Sequence, residues 1–211
     1  MAAPGLRVRR SCNAQGSSQS GHEWHLESLG SWDWTDVSWF CDGPHENYVD
    51  RHDSARAGVW RSAIDDTYVD YAVPQEHGNR QSLRWLALES RHGRKRSGLL
   101  IVVESFDGGD ITSALLPTVS VRRHSDAQLW VATHTHDLVA DAQRHSGDAW
   151  LYINVAHRGI GTASCGPDAL DEYQLGTGRA GFGLAVTSFK PGREDPGELY
   201  RTLLRGADER R

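Results

Sequence analysis

The chain is short of several things, and each shortage removes a class of protein. Its 211 residues include three cysteines, Cys12, Cys41 and Cys165, spaced too far apart for a CxxC pair or a disulfide-dense framework. That usage fits a reducing compartment. No apolar run reaches the length of a membrane-spanning helix. The N-terminus is basic but has no apolar stretch behind it, so no secretory leader is expected and a cytoplasmic location is. A basic excess is also missing. Lys and Arg number 23 against 28 Asp and Glu, a formal net charge of −5, whereas a nucleic-acid binder needs a basic face for phosphates. There is no internal repeat, no GxSxG elbow, no phosphate-cradling glycine loop, and no Cys–His pair with a third orienting group.

What the chain does have is tryptophan, eight in all. A large, flat, amphipathic side chain suits β-sheet cores and sugar contacts alike, and core packing is the commoner use. The length suffices for one fair-sized domain. Residues 1–37, rich in Arg, Ser, Gln and Gly, sustain no period of 2 or 3.6 and read as a disordered or atypical segment. Residues 38–188 read as β. Residues 83–88 form a strand, and residues 99–103 are a continuous apolar run suited to burial on both faces. The charged, Gly-containing stretch between them reads as a hairpin loop. Residues 118–121 alternate, as do residues 151–155, and residues 182–186 close the series. Ser125 and Gln128 have capping-box spacing, which predicts one or two helical turns over residues 126–132. Residues 189–211 read as a polar tail with a short helix, Asp195 as its N-cap, Pro196 at its first position, and Leu199, Leu203 and Leu204 as its apolar stripe. Short strands divided by turn signals predict an all-β fold, an antiparallel β-sandwich.

Several side-chain clusters invite a chemical reading. Gly43-Pro44-His45-Glu46-Asn47-Tyr48, followed by Asp50-Arg51, gathers an acid, an imidazole, a phenol and an ion pair. It reads first as a turn locked by Gly-Pro, with Glu46 or Asp50 paired to Arg51. Glu76, His77, Asn79 and Arg80 lie in a loop before a strand. They suit either contact with a neighbouring domain or sugar, or a network that satisfies loop backbone. His134 and His136 on an extended segment would share a face, with His157 as a conceivable third zinc ligand; surface or core histidines are the commoner outcome, and no metal is assigned. The basic run of residues 91–96 reads as a solvated hairpin tip. Finally, the strand at 151–155 runs into His157-Arg158-Gly159-Ile160-Gly161 and a small-residue loop closed by Gly166-Pro167-Asp168. Such a loop either turns a corner or is shaped to sit against something else.

Three stretches together, "WFCDGPHENYVDR", "YAVPQEHGNRQSLRWLAL" and "LYINVAHRGIGTASCGPDAL", resemble the C-terminal β-sandwich domain of the β-galactosidases of glycoside hydrolase family 2, in order and in spacing. The resemblance covers roughly residues 37 to 187. It implies a sandwich of the galactose mutarotase-like type, a supersandwich, here incomplete because only the second half of the family's domain is recognisable. It also implies an enzyme whose chemistry sits on a separate (β/α)8 barrel, where two Glu side chains cleave terminal β-D-galactosides such as lactose with retention. A retaining pair stands roughly 5 Å apart. Neither the barrel motifs nor the family's magnesium and sodium ligands are in this sequence, so no catalytic residue and no cofactor are expected on this chain. The matching loop of the family reaches from the last domain to the mouth of the barrel, where some members place a Trp that stacks on the sugar. Here Cys165 stands at that place, a form that other members share. The resemblance therefore implies a substrate-rim or partner-interface role for Cys165, Ser164, His157, Arg158 and Gly161. It implies a barrel-bearing large chain as partner, with no nucleic acid and no membrane. Cys41 departs from the family pattern, which usually has Gly after the Trp-Phe pair. Two other readings stand beside this one: a free-standing carbohydrate-binding module, and an inactive gene remnant.

Overall fold

The computed structural model describes residues 6–12, 22–28, 33–92, 95–109, 112, 114–142, 148–160 and 166–208. The described chain is mostly β, with antiparallel sheets and a few short helices. Its strands are β1 (Leu6–Cys12), β2 (His22–Ser28), β3 (Trp34–Gly43), β4 (Arg56–Ala63), β5 (Trp85–His92), β6 (Lys95–Asp107), β7 (Thr118–Arg122), β8 (Trp150–Asn154) and β9 (Gly181–Phe189). The helices are α1 (Asp126–Val131), α2 (Thr135–Ala142) and α3 (Pro196–Asp208).

Five strands make the main sheet, in the order β4-β3-β5-β6-β9, with β1–β2 and β7–β8 as separate antiparallel pairs. The period-2 rule sorts the side chains. Val37, Trp39 and Cys41 of β3, Leu86 and Leu88 of β5, and Leu99, Ile101 and Val103 of β6 point to one face. There they meet Val119 and Val121 of β7 and Leu151 and Ile153 of β8, which closes the principal core. The alternate residues Trp85, Ala87, Leu100, Val102 and Phe189 line the other face, which α3 covers with Leu199, Tyr200 and Leu203. The continuous apolar run at 99–103 is thus buried on both faces, as its composition requires. Gly98 pairs with Phe189 across β6 and β9, and a Cβ there would stand 2.2 Å from the Phe189 ring, so this close approach needs glycine.

The local signals at 125 and 196 are realised. Ser125 accepts from the Gln128 N–H while the Gln128 side chain accepts from the Ser125 N–H, and α3 begins at Pro196. Three differences from the sequence reading have physical causes. Residues 1–37 contain β1, β2 and the start of β3; β1 and β2 pair with each other, and β2 lies beside β8, a long-range arrangement that a local window does not contain. Residues 135–142 are helical, so His136 sits on the first turn of α2 instead of on an extended segment. The hairpin strands β5 and β6 continue into the basic run, and its two described arginines, although exposed, are also paired: Arg96 donates to Glu89 at 2.9 Å, and Arg91 lies 3.5 Å from Asp36.

Candidate functional site

The quoted motifs converge on a polar layer over the outer face of β7–β8. Arg80 forms an antiparallel bridge with Val119, so the segment after the 75–80 loop runs along the β7 edge. Thr118, Ser120 and Arg122 of β7 and Tyr152 and Asn154 of β8 all point away from the apolar core, yet none is more than 1 % exposed. Arg122 donates to Asp126 at 2.6 Å and stacks on the Tyr152 ring at 4.0 Å, while the Tyr152 hydroxyl accepts the Asp126 N–H. Burial, the largest single influence, would lower the Arg122 pKa; the charge of Asp126, with Tyr152, Glu76 and the hydrogen bond to Asp126, together outweighs it and holds the guanidinium charged. Thr118 Oγ1, Ser120 Oγ, Arg122 Nε and both polar atoms of the Asn154 side chain have no hydrogen-bond partner among the described residues.

Besides Asp126, the layer contains Glu46 and Glu76. Glu46 accepts from Arg51 at 3.0 Å, from the Gly78 N–H at 2.8 Å and from the Tyr71 hydroxyl. Burial, then that hydrogen bond to Glu46, pushes the Tyr71 phenol up to about 12. Glu76 meets His157 Nε2 at 2.9 Å, and the His157 ring stands edge-on to Tyr48 at 5.6 Å. Burial pushes the Tyr48 phenol up, and the charges of Glu46 and Glu76 add to it. His77 stacks edge-on with Tyr68 at 4.9 Å; burial, then the Arg122 charge, lowers its pKa to about 4, so it is neutral near pH 7.

The remaining predicted residues have structural partners. Asn79 donates to the Asn47 carbonyl at 2.8 Å, and the Asn47 side chain returns bonds to the Asp42 and His45 carbonyls and to the Gln81 N–H. Arg80 lies over the Trp39 ring at 4.1 Å and donates to the carbonyls of Gly78 and Pro44, which follows a cis Gly43–Pro44 bond. Of the four loop residues, His77, Asn79 and Arg80 thus turn inward, and Glu76 ties the loop to His157. The turn at 43–51 behaves as a locked turn, with Glu46 as the acid that meets Arg51. Arg158 pairs with Asp168, and Gly159 donates its N–H to the Tyr173 carbonyl at 2.9 Å. A Cβ on Gly159 would stand 2.7 Å from Asp50 Oδ2, so the segment leaving β8 presses directly against the 43–51 turn. Gly161, Ser164 and Cys165 lie outside the described residues. Cys41 is in the core under β3, where its thiol donates to the Asp42 carbonyl and burial pushes its pKa up.

His157 does not join His134 and His136; their neighbour is Asp137, the three forming the one cluster of three or more such ligands found among the described residues. Two imidazoles and one carboxylate do not suit magnesium or sodium, which take oxygen ligands. Sequence reasoning missed this acid, and also the burial of Arg122, because an Arg on an alternating strand reads as the solvent side.

Comparison with known proteins matches residues 20–186 to the family model described as the β-galactosidase small chain, starting ahead of the boundary drawn at residue 37. The β-galactosidase of Arthrobacter sp. (strain B7) is 30 % identical over 139 residues, 66 % of this chain and 12 % of that protein. Those of Vibrio cholerae and Aeromonas hydrophila are 34 % and 36 % identical over 126 residues each, 59 % and 60 % of this chain. In both cases the match is 10 % of the relative, so the chain spans about a tenth of the length of the curated relatives it matches. On the match over residues 20–186, the chain belongs to the β-galactosidase small-chain family.

Proposed function

We propose that this chain is the small-chain part of a β-galactosidase that hydrolyses terminal β-D-galactosides such as lactose, and that it supplies scaffold, partner interface and substrate rim while a barrel-bearing large chain supplies the catalytic acids. The observation that carries the proposal is the commitment of the acids in the polar layer. Glu46 is held by three donors and Glu76 by His157. A retaining mechanism needs a nucleophile and an acid/base facing one glycosidic bond; these two carboxylates hold the fold together instead. His157 and Arg158 are anchored by Glu76 and Asp168, and in this reading they form the substrate rim or partner interface together with Gly161, Ser164 and Cys165. The enzyme works in the cytoplasm in this reading, and the magnesium and sodium of the assembled enzyme sit on the large chain.

The test is complementation. The purified chain alone should leave a chromogenic galactoside untouched, and mixing it with a β-galactosidase large chain that lacks its C-terminal part should restore turnover. Turnover by the isolated chain would remove the division of labour; no restoration with any large chain would remove the partner.

One observation favours a second reading, a free-standing carbohydrate-binding module. Trp130 on α1 is 90 % exposed, the one exposed indole among the described tryptophan side chains. Titration of galactose or lactose against intrinsic Trp fluorescence separates the readings: a saturable change in the isolated chain that Trp130→Ala abolishes supports the module, and no change supports the small chain.

A further inference from the structure

We propose that His134, His136 and Asp137, at the corner where α1 gives way to α2, form a binding site for a divalent transition-metal cation of the zinc or nickel type.

The ligand atoms of the three side chains all lie within 4.8 Å of one another. The two imidazoles stack with centroids 5.1 Å apart and planes 13° from parallel, so each ring has to turn out of the stack to aim an in-plane nitrogen lone pair at a shared ion. His136 Nε2 is 3.4 Å from Asp137 Oδ1, and His134 Nδ1 is 4.0 Å from Asp137 Oδ2. Metal–ligand bonds near 2.0–2.1 Å place neighbouring ligands of a tetrahedral zinc about 3.4 Å apart. Contraction to that spacing needs only side-chain rotation, because all three residues are exposed and no core atoms move.

The carboxylate is already oriented. Asp137 Oδ2 accepts the N–H groups of Thr133 and His134, each at 3.0 Å, and the Thr133 hydroxyl at 3.1 Å, which leaves Oδ1 turned toward His136. The Asp137 charge opposes the positive end of α2, which would otherwise repel a cation. Beneath the cluster the corner is packed. Leu129, Ala132 and Leu138 are buried together against Tyr68, and Thr135 donates to Asp70 at 3.1 Å. Supporting contacts of this kind reduce the freedom that metal binding has to remove. Two imidazoles and one carboxylate select zinc, nickel or copper over the hard cations that prefer all-oxygen shells. Three protein ligands leave at least one coordination position for water or a ligand from another molecule.

The experiment is calorimetric titration of the full chain with zinc chloride and with nickel chloride, on wild type, His136→Ala, Asp137→Asn and the double variant His134→Ala/His136→Ala, with circular-dichroism melts of each. Wild type should show a saturable site, weakened about tenfold or more in each single variant and lost in the double variant; the melts of the histidine variants should be unchanged because those side chains are exposed, and that of Asp137→Asn should fall slightly because the charge at the start of α2 is lost. Equal uptake at equal affinity by wild type and the double variant would assign the metal to other thiols or imidazoles and overturn the proposal, as would no saturable uptake by wild type. The copper-loaded chain gives a second readout that does not depend on the variants. Its paramagnetic resonance spectrum should show coupling to two imidazole nitrogens, and a spectrum without nitrogen coupling overturns the site.

Discussion

The two faces of the β7–β8 pair are equally hidden from solvent and chemically opposite. One presents Val119, Val121, Leu151 and Ile153 to the main sheet. The other presents Thr118, Ser120, Arg122, Tyr152 and Asn154 to the layer built from the 43–51 turn, the 75–80 loop and the His157 segment. Burial stabilises the first face directly, through apolar area removed from water. On the second face, burial stabilises only where a hydrogen bond replaces the lost water, and each unmatched group costs free energy. A two-stranded pair between an apolar core and a polar layer is therefore held mainly from one side, while the other side fixes which loops lie over it.

Substitutions can break or sharpen that contrast. The largest effect belongs to the apolar face: Leu151→Ala should destabilise by roughly 2–5 kcal/mol in denaturant titration. A loss below about 1 kcal/mol would place the weight elsewhere. Next, Glu46→Gln removes the charge that gathers Arg51, Tyr71 and the Gly78 N–H in the polar layer. It should destabilise by roughly 2–3 kcal/mol, because charged hydrogen bonds are the strong ones, and an unchanged midpoint would make this acid incidental. Third comes pH. His77 titrates near 6.5 unfolded and at about 4 folded, so the unfolded chain takes up a proton that the folded chain refuses as pH falls between those values. Stability should thus decline from pH 6.5 toward pH 4, with about 2 kcal/mol lost by pH 5 through this group. His77→Gln should flatten that part of the profile; parallel profiles would mean the imidazole is charged within the fold. The smallest effect is expected for Thr118→Val, an isosteric change at a hydroxyl without a partner among the described residues. It should alter stability by no more than about 0.5 kcal/mol, or raise it. A loss above about 1 kcal/mol would show that the hydroxyl is bonded in solution.

The same contrast explains what the sequence reveals and what it hides. Alternation at 118–121 and 151–155 locates β7 and β8, because one face of each is apolar. Alternation also invites the inference that the other face is wet, and here that fails: Thr118, Ser120 and Arg122 are covered by segments some 40 to 75 residues away. Capping at Ser125 and Pro196 is legible because the chemistry is local. β1 and β2 are not, since each has only two apolar residues in alternation, Leu6 and Val8 or Trp24 and Leu26, and depends on a distant strand. The candidate site was legible as motifs but not as a network. Spacing points to Glu76 and His157 separately, and nothing in either stretch says that they meet across 81 positions.

Cys41 gives the core a clock. Its thiol is fully buried, bonded to a neighbouring carbonyl and held in its protonated form, so an alkylating reagent has neither access nor thiolate to attack while β3 stays in the sheet. Labelling at this position counts excursions in which the sheet parts, and its rate measures how often the middle of the molecule comes undone under native conditions.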